Sequence, residues 1–343
     1  MAPWGWRLAI AGGAGTGKTL LAVEQSRRQA ARGRRTLLLC YNRALADHLR
    51  ATNPSRDHVE AMTLHQLYEW WISRIEKQSG RNFLREANAQ YPGRSRSEVQ
   101  LPHSFLSCLD AFPPPSFDSV VVDEGQDFRD EDWLAIDVLV EKTGASLCIF
   151  HDRNQRLYRR SEYFPITDER DCFMLRRNCR NTRPIHSAAY RFYDGHPTRE
   201  PEIEGEPIAH LEAPDRAAQA RAIHQKVRSL LTSDGVQSDD MAVLVLGATI
   251  GTRIFYEELR ALPIGSGVSW AEETYRQAQT VLIESVARFK GLERAIIFLW
   301  LDDDFDIKAH QELLYVGMSR AKSRLFLVSS AAACQRAVQV IQQ

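Results

Sequence analysis

The sequence predicts an α/β protein built on parallel sheets, and three observations support this fold class. Continuous apolar runs such as Thr36–Cys40 have the composition of strands buried on both faces. These runs alternate along the chain with longer stretches of helical spacing, which is the order of βαβ units. The length of 343 residues suggests two domains at roughly 100–200 residues each. We therefore expect an N-terminal domain over residues 1–172 and a C-terminal domain over 173–343.

In the first domain, strands are predicted where short apolar or β-branched runs lie between turn residues, and helices where apolar residues recur every three or four positions. A glycine-rich turn separates the first strand from a helix that ends near Ala31, with Gly33 as a C-cap. The predicted strands are 7–11, 36–40, 59–62, 119–122 and 146–150, and the predicted helices are 18–31, 44–50, 64–76 and 131–142.

The second domain repeats this alternation. Its predicted strands are 241–246, 280–283, 295–299 and 325–328, and its predicted helices are 182–193, 215–231, 253–262, 309–318 and 331–341. Two segments, 78–115 and 195–207, are expected to be irregular, because prolines and glycines interrupt them.

Composition excludes several classes of protein. The net charge is zero, so no global basic field indicates a nucleic-acid partner, although residues 27–56 carry eight arginines against one acid. No apolar run approaches the ~20 residues of a membrane span, so no membrane partner is expected. The six cysteines form no C-x-x-C pair, which favours reduced thiols and a cytoplasmic protein.

The strongest chemical signal fits G-x-x-x-x-G-K-[ST] and lies between a predicted strand and a predicted helix, as a phosphate-binding loop does. Glycines let backbone N–H groups turn inward around an anion, and the helix N-terminus adds partial positive charge. Lys18 can reach the β- and γ-phosphates, and the Thr19 hydroxyl can bind Mg²⁺. The residues of this loop are Gly12, Gly13, Ala14, Gly15, Thr16, Gly17, Lys18 and Thr19.

A second signal is the apolar strand 120–122 that ends in adjacent acids, which is the Walker B arrangement. Asp123 can hold Mg²⁺, and Glu124 can orient and deprotonate an attacking water. Since a small-molecule kinase needs no carboxylate that activates water, Glu124 disfavours that class of enzyme.

Together with this loop, seven segments resemble, in order, the motifs of superfamily 1 DNA helicases of the UvrD/Rep type. Each match is short, but their order along the whole chain is specific. They are 38–46 (motif Ia), 63–67 (the Thr-Phe-His element), 123–127 (motif II), 152–155 (motif III), 178–182 (motif IV), 289–293 (motif V) and 315–322 (motif VI). Phe289 before Lys-Gly-Leu-Glu also resembles compact relatives that are fused to nuclease-related domains, so a fused or associated accessory domain is a further expectation.

The resemblance implies two RecA-like domains with ATP and Mg²⁺ between them. It implies that Gln155 senses the γ-phosphate or its water and that Glu293 contacts the ribose. It also implies that Arg180 and Arg320 approach the γ-phosphate, where a guanidinium neutralises developing charge. The implied reaction is DNA-stimulated ATP hydrolysis that drives translocation or unwinding with 3′→5′ polarity.

The resemblance further implies that single-stranded DNA is the partner. The positions that match its contacts carry an aromatic ring, hydrogen-bonding groups and an arginine, which suit bases and phosphates. These residues are Tyr41, Asn42, Thr63, His65 and Arg288.

Several departures from the family pattern keep a second interpretation open. Cys179 stands where relatives stack a tyrosine on adenine, and Ala287 where they often carry histidine. The chain starts only a few residues before the first strand, so the upstream glutamine that reads adenine is expected to be missing. Short spacings indicate reduced accessory insertions. The alternative is therefore an ATP-gated regulatory or nucleic-acid-binding module that hydrolyses ATP without unwinding.

Overall fold

A computed structural model gives the architecture as two compact units. One contains Met1–Gly12 and Lys18–Leu175, and the other contains Gly13–Gly17 and Arg176–Gln343. The first unit thus ends at Leu175, whereas the sequence placed the boundary after residue 172. The structure describes residues 6–52, 58–152, 164–166, 172–193, 198–246, 249–272 and 279–342.

The first unit is built on a six-stranded sheet in which every strand pair is parallel. Its strands are β1 Arg7–Gly12, β2 Thr36–Cys40, β3 Val59–Thr63, β4 Ser119–Val122, β5 Ser146–His151 and β6 Cys172–Leu175. Their order is β3-β2-β4-β5-β1-β6. The inner strands β2, β4 and β5 are buried at every residue, because helices cover both faces of the sheet.

The helices of this unit are α1 Lys18–Ala30, α2 Arg43–Thr52, α3 Leu64–Ser79, α4 Phe83–Gln90, α5 Leu101–Ala111 and α6 Asp130–Thr143. The start of α3 is fixed by a capping box. The Thr63 hydroxyl accepts a hydrogen bond from the Gln66 N–H, and the Gln66 side chain accepts one from the Thr63 N–H. This cap holds α3 directly at the end of strand β3.

The expectation that residues 78–115 are irregular is wrong. This segment contains α4, a π-helical turn at Arg96–Gln100 and α5. Asn82 caps α4 by accepting a hydrogen bond from the Arg85 N–H, and Phe83 and Phe105 are buried in the core. The apolar spacing of this segment therefore prevails over its prolines, of which Pro102 lies in the first turn of α5, where proline is tolerated.

The second unit contains another six-stranded, fully parallel sheet. Its strands are β7 Ala209–Glu212, β8 Met241–Leu246, β9 Ser269–Glu272, β10 Thr280–Ser285, β11 Arg294–Leu301 and β12 Ala321–Ser329, in the order β7-β12-β11-β8-β10-β9. Its helices are α7 Arg183–Tyr190, α8 Arg216–Thr232, α9 Thr249–Arg260, α10 Gln311–Ser319 and α11 Ala331–Gln342.

The predicted α/β fold with parallel sheets is confirmed. The sequence missed β6, β7 and β9, each of which is four residues long and lies at the edge of its sheet. Within the described residues, no helix combines the length and the apolar character that crossing a bilayer requires. All six cysteines are free thiols; Cys172 and Cys179 are exposed, and the others are buried.

Candidate functional site

The glycine-rich loop between β1 and α1 has the backbone that its sequence predicts. Gly15 and Gly17 have φ angles of +77° and +87°, which only glycine adopts without strain. A Cβ atom on Gly15 would also lie 2.3 Å from the Asn178 side chain, and one on Gly13 would lie 2.2 Å from the Tyr190 hydroxyl. Gly15 is therefore required both by its φ angle and by its close approach to Asn178, Gly17 is required by its φ angle, and a Cβ on Gly13 would displace the Tyr190 side chain.

Within the second unit, aromatic hydroxyls hold the backbone of this loop. The Ala14 N–H donates to the Tyr315 hydroxyl over 2.6 Å, and the Tyr190 hydroxyl donates to the Ala14 carbonyl over 3.0 Å. The Cys179 N–H donates to the Gly15 carbonyl over 2.9 Å. Tyr315 thus accepts a hydrogen bond from one backbone N–H of the loop, and the other N–H groups of such a loop are suited to binding an anion.

Lys18 begins α1 and is buried, with 6 % of its surface exposed. Its ammonium group donates to the Gly12 carbonyl over 2.8 Å and lies 3.7 Å from a carboxylate oxygen of Asp152. Its charge is thereby held inside the first unit at the start of α1.

Asp123 follows β4 and is fully buried. Its N–H donates to the Leu39 carbonyl, but neither carboxylate oxygen accepts a hydrogen bond of good geometry from any residue that the structure describes. Burial and the neighbouring Glu124 charge raise the pKa of Asp123, while the Thr19 hydroxyl and the Lys18 ammonium are close enough to lower it. A buried carboxylate without a partner is costly unless a cation or a proton compensates it. Asp123, with Thr19 beside it, therefore fits a divalent cation such as Mg²⁺.

Glu124 has a φ angle of +56°, the left-handed region that non-glycine residues rarely adopt. Such strain, of about 1–3 kcal/mol, clusters at functional sites. The Gln126 amide donates to the Glu124 carboxylate over 2.5 Å, and its oxygen accepts the Asp152 N–H over 2.8 Å. Gln126 thus links Glu124 to the end of β5.

The structure brings together Lys18, Thr19, Asp123 and Glu124 of the first unit. Sequence reasoning did not assign Gln126 and Asp152 to the site, although both lie inside quoted motifs. The signal was their position shortly after strand ends at the same edge of the sheet: Asp152 lies one residue beyond β5 and Gln126 four residues beyond β4. The predicted sensor Gln155 lies outside the described residues.

In the second unit the structure pairs residues to which the sequence gave separate roles. Arg180 donates to the Glu293 carboxylate over 2.9 Å and to the Ser319 carbonyl over 2.6 Å. Lys322 lies 2.7 Å from the other Glu293 oxygen. Burial raises the pKa of the Glu293 carboxyl, but the charges of Arg180 and Lys322 outweigh this effect and lower the pKa to about 2.

Arg320 is almost fully buried at the end of α10, with 2 % of its surface exposed. Its guanidinium donates to the Val316 carbonyl over 3.0 Å and to the Ser319 hydroxyl over 2.9 Å. Arg180 donates to the Ser319 carbonyl and Arg320 to the Ser319 hydroxyl, so the structure brings both predicted arginines to one residue.

The predicted DNA contacts have mixed environments. Tyr41 and His65 follow β2 and β3, and their rings meet edge to face with centroids 5.9 Å apart. Thr63 is occupied as the α3 cap, and the Asn42 side chain accepts from the Ala44 N–H, so both have local structural roles. In the second unit, Arg288 lies 3.5 Å from Glu284.

Comparisons with known proteins agree with a nucleotide-binding first half. Residues 7–160, less than half of the chain, match the AAA_19 family, described as an AAA domain. No curated protein matches the sequence.

Three solved structures share limited similarity with the chain. One is the C-terminal domain of a possible DNA helicase from Lactobacillus plantarum WCFS1, with 17% identity, 45% of this chain and 88% of that chain covered, and a TM-score of 0.36. The second is the helicase of PRRSV, with 12% identity, coverage of 96% and 54%, and a TM-score of 0.48. The third is arterivirus nonstructural protein 10, a helicase in complex with DNA, with 9% identity, coverage of 98% and 63%, and a TM-score of 0.47. This chain therefore spans between half and two thirds of the two viral proteins.

Proposed function

We propose that this chain is an ATP hydrolase of the helicase class that acts on DNA. The observation that carries the proposal is the fully buried Asp123 carboxylate, which lies beside Thr19 and Lys18 and accepts no hydrogen bond of good geometry from the described residues. Glu124, whose backbone has a strained φ angle, is the next residue in the chain. A cation-binding carboxylate, a phosphate-binding loop and a general base form the set that triphosphate hydrolysis needs.

Each residue has a distinct task in this proposal. The loop N–H groups and Lys18 bind the phosphates, and Thr19 and Asp123 would hold Mg²⁺. When bound, the metal ion neutralises charge on the phosphate oxygens. Glu124 accepts a proton from the attacking water, and the Gln126 amide fixes the direction of that carboxylate.

The proposal assigns Arg180 and Arg320 to the developing charge on the γ-phosphate, and Glu293 to the ribose. Arg180 already bonds to Glu293, and Arg320 bonds to backbone and hydroxyl oxygens. Either arginine must therefore exchange these partners to reach a phosphate. The position of these two side chains would then depend on whether a triphosphate is bound.

For the nucleic acid we propose single-stranded DNA, with translocation or unwinding in the 3′→5′ direction. The support is the Tyr41 and His65 pair at the ends of neighbouring strands, where an aromatic ring and an imidazole can contact bases. The polarity follows from the helicase resemblance alone.

A second candidate is an ATP-gated module that hydrolyses ATP without unwinding. Two contacts favour it: the ion pair of Arg180 with Glu293 and the hydrogen bond from the Ala14 N–H to the Tyr315 hydroxyl. While these contacts persist, the Arg180 guanidinium and the Ala14 N–H are not available to bind a phosphate. In that case the nucleotide would release the bonds as a signal and would drive no movement along DNA.

One set of assays separates the candidates. The ATPase rate is measured without nucleic acid and with single-stranded DNA, duplex DNA or RNA, with Glu124→Gln as the inactive control. Displacement of a labelled strand is then measured on duplexes with a 3′ or a 5′ tail. Stimulation by single-stranded DNA with displacement from the 3′ tail supports the motor; ATPase activity without displacement supports the gated module. No hydrolysis under any condition would refute both.

A further inference from the structure

Three side chains with metal-binding atoms converge at the outer edge of the second sheet. The ligand atoms of His210, Glu212 and Cys334 all lie within 4.8 Å of one another. This cluster belongs to β7 and α11, and none of the nucleotide-site residues is part of it. The inference drawn from it is independent of the proposed function.

The fold explains why these residues meet. Alternate residues of a strand face opposite sides of a sheet, so His210 and Glu212 share one face of β7, while Ala209 and Leu211 pack into the core on the other. Strand β7 pairs with β12, with Glu212 opposite Ser329. Helix α11 starts two residues after Ser329, so its first turn carries Cys334 over this corner.

The donors are available to an ion. Among the residues that the structure describes, none makes a hydrogen bond or an ion pair with the side chain of His210 or Glu212, and both are exposed. Cys334 is fully buried. An ion at this point would thus have solvent on one side and the thiol on the other.

We propose that His210, Glu212 and Cys334 form a Zn²⁺ site. A mixed nitrogen, oxygen and sulfur donor set is typical of zinc, which tetrahedral sites hold at ~2.0–2.3 Å. Those bond lengths place ligand atoms roughly 3.5 Å apart. Side-chain movements that shift the ligand atoms by about 1 Å would therefore bring all three to bonding distance from one ion. Three protein ligands leave the fourth position to water.

Binding exchanges a proton for the metal: the Cys334 S–H bond breaks, the sulfur bonds to Zn²⁺, and the proton passes to solvent. Burial, with the nearby charges of Glu212 and Asp303, raises the pKa of Cys334 to about 11. The same two carboxylates favour a cation at this place. Arg336, on the same helix, directs its guanidinium to the Asp303 carbonyl over 2.6 Å and over the Phe305 ring.

A zinc ion at this site would link the edge strand β7 to helix α11. In the part of the chain that the structure describes, strand β7 lies at the edge of the sheet and pairs with β12 alone. A bond through zinc would hold β7 to α11 and stabilise the folded second unit by mass action. We expect Zn²⁺ at a hundredfold excess over its Kd to raise Tm by about 5 °C.

The test titrates the whole chain, without nucleotide, with Co²⁺ as a spectroscopic substitute for zinc. A thiolate ligand gives a near-ultraviolet charge-transfer band that an oxygen-only site such as Asp123 does not give. We expect one equivalent of Co²⁺ to produce this band, Zn²⁺ to remove it, and Tm to rise with Zn²⁺.

Variants then locate the site. Cys334→Ser should abolish the band, and His210→Ala should weaken Co²⁺ binding at least tenfold. Cys334 is buried and its replacement can disturb folding, whereas His210 is exposed, so the His210→Ala variant remains folded and keeps the test valid. Glu212→Gln should weaken binding less. Cys172→Ser is the matched control, since Cys172 is exposed in the first unit, and it should change nothing. Absence of the band, its loss in Cys172→Ser, or its persistence in both His210→Ala and Cys334→Ser would overturn the proposal.

Discussion

Replacing Gln126 should slow ATP hydrolysis without preventing nucleotide binding. Gln126 is buried and makes two hydrogen bonds, one to the Glu124 carboxylate over 2.5 Å and one from the Asp152 N–H over 2.8 Å. Gln126→Leu removes both bonds at similar volume. Gln126→Glu keeps an acceptor for Asp152 but sets a second carboxylate against Glu124.

The magnitude follows from the kind of bond that is lost. A hydrogen bond to a charged group contributes ~1.5–3 kcal/mol. If that bond orients Glu124 in the transition state, its loss lowers kcat by about 10- to 150-fold, at ~1.36 kcal/mol for each factor of ten. Loss of the hydrogen bond from the Asp152 N–H costs a further ~1–3 kcal/mol of stability, which lowers Tm by roughly 2–10 °C. Gln126→Glu should lower kcat more and Tm less, because it keeps the bond to Asp152.

The assay measures steady-state kcat and KM together with thermal unfolding. The control is Gln219→Leu: Gln219 is equally buried and accepts from the Trp300 indole over 2.7 Å, but it lies on α8 of the second unit. That variant should lose stability while kcat stays within about twofold. A kcat for Gln126→Leu that equals the control's would refute the positioning role.

Three further predictions concern the same machinery. Lys18→Ala should abolish hydrolysis and weaken nucleotide binding, whereas Glu124→Gln should bind nucleotide without turnover; equilibrium binding and single-turnover assays check both. Arg180→Ala and Arg320→Lys should each reduce turnover by orders of magnitude, and normal rates in both would remove these two arginines from catalysis. The lowered pKa of Glu293, about 2, means that its stabilising effect is complete above the unfolded value of ~4.3 and is lost as pH falls towards 2; acid unfolding should be less pH-dependent in Glu293→Gln.

The sheets were predictable because their strands are continuous apolar runs. Thr36–Cys40, Ser119–Val122 and Met241–Leu246 are strands over the predicted residues. Short edge strands such as Ala209–Glu212 were not, because half of their residues face solvent and their pairing depends on a distant partner, β12. The helices around Phe83 and Phe105 were hidden by the prolines beyond them.

The sequence did not predict the side-chain contacts that depend on the tertiary structure. The spacing of the motifs identifies Lys18 and Asp123, because each stands at a fixed offset from a strand. Nothing in the sequence indicates that Arg180 bonds to Glu293, 113 residues away, or that Tyr315 reaches Ala14. These contacts depend on side-chain direction, which local patterns do not encode.

The last prediction concerns selectivity for the base of the nucleotide. Cys179 is exposed, and its N–H is bonded to the Gly15 carbonyl, so its backbone is fixed beside the phosphate-binding loop. The helicase resemblance places at this position a tyrosine that stacks on adenine. Aromatic stacking contributes ~1–3 kcal/mol per base, and cysteine offers only a small apolar contact in its place.

Most of the affinity should therefore come from the triphosphate, which all nucleoside triphosphates share. We expect GTP to be hydrolysed with a kcat/KM within about tenfold of that for ATP, a difference of roughly 1.4 kcal/mol. Cys179→Tyr should favour ATP over GTP, whereas the matched Cys179→Ala should change neither, because it removes little contact area. Competition among the four triphosphates measures the preference. A strong preference for ATP in the unmodified chain would refute the reasoning, since a site rejects the wrong base strongly only where polar groups pair with the base edge.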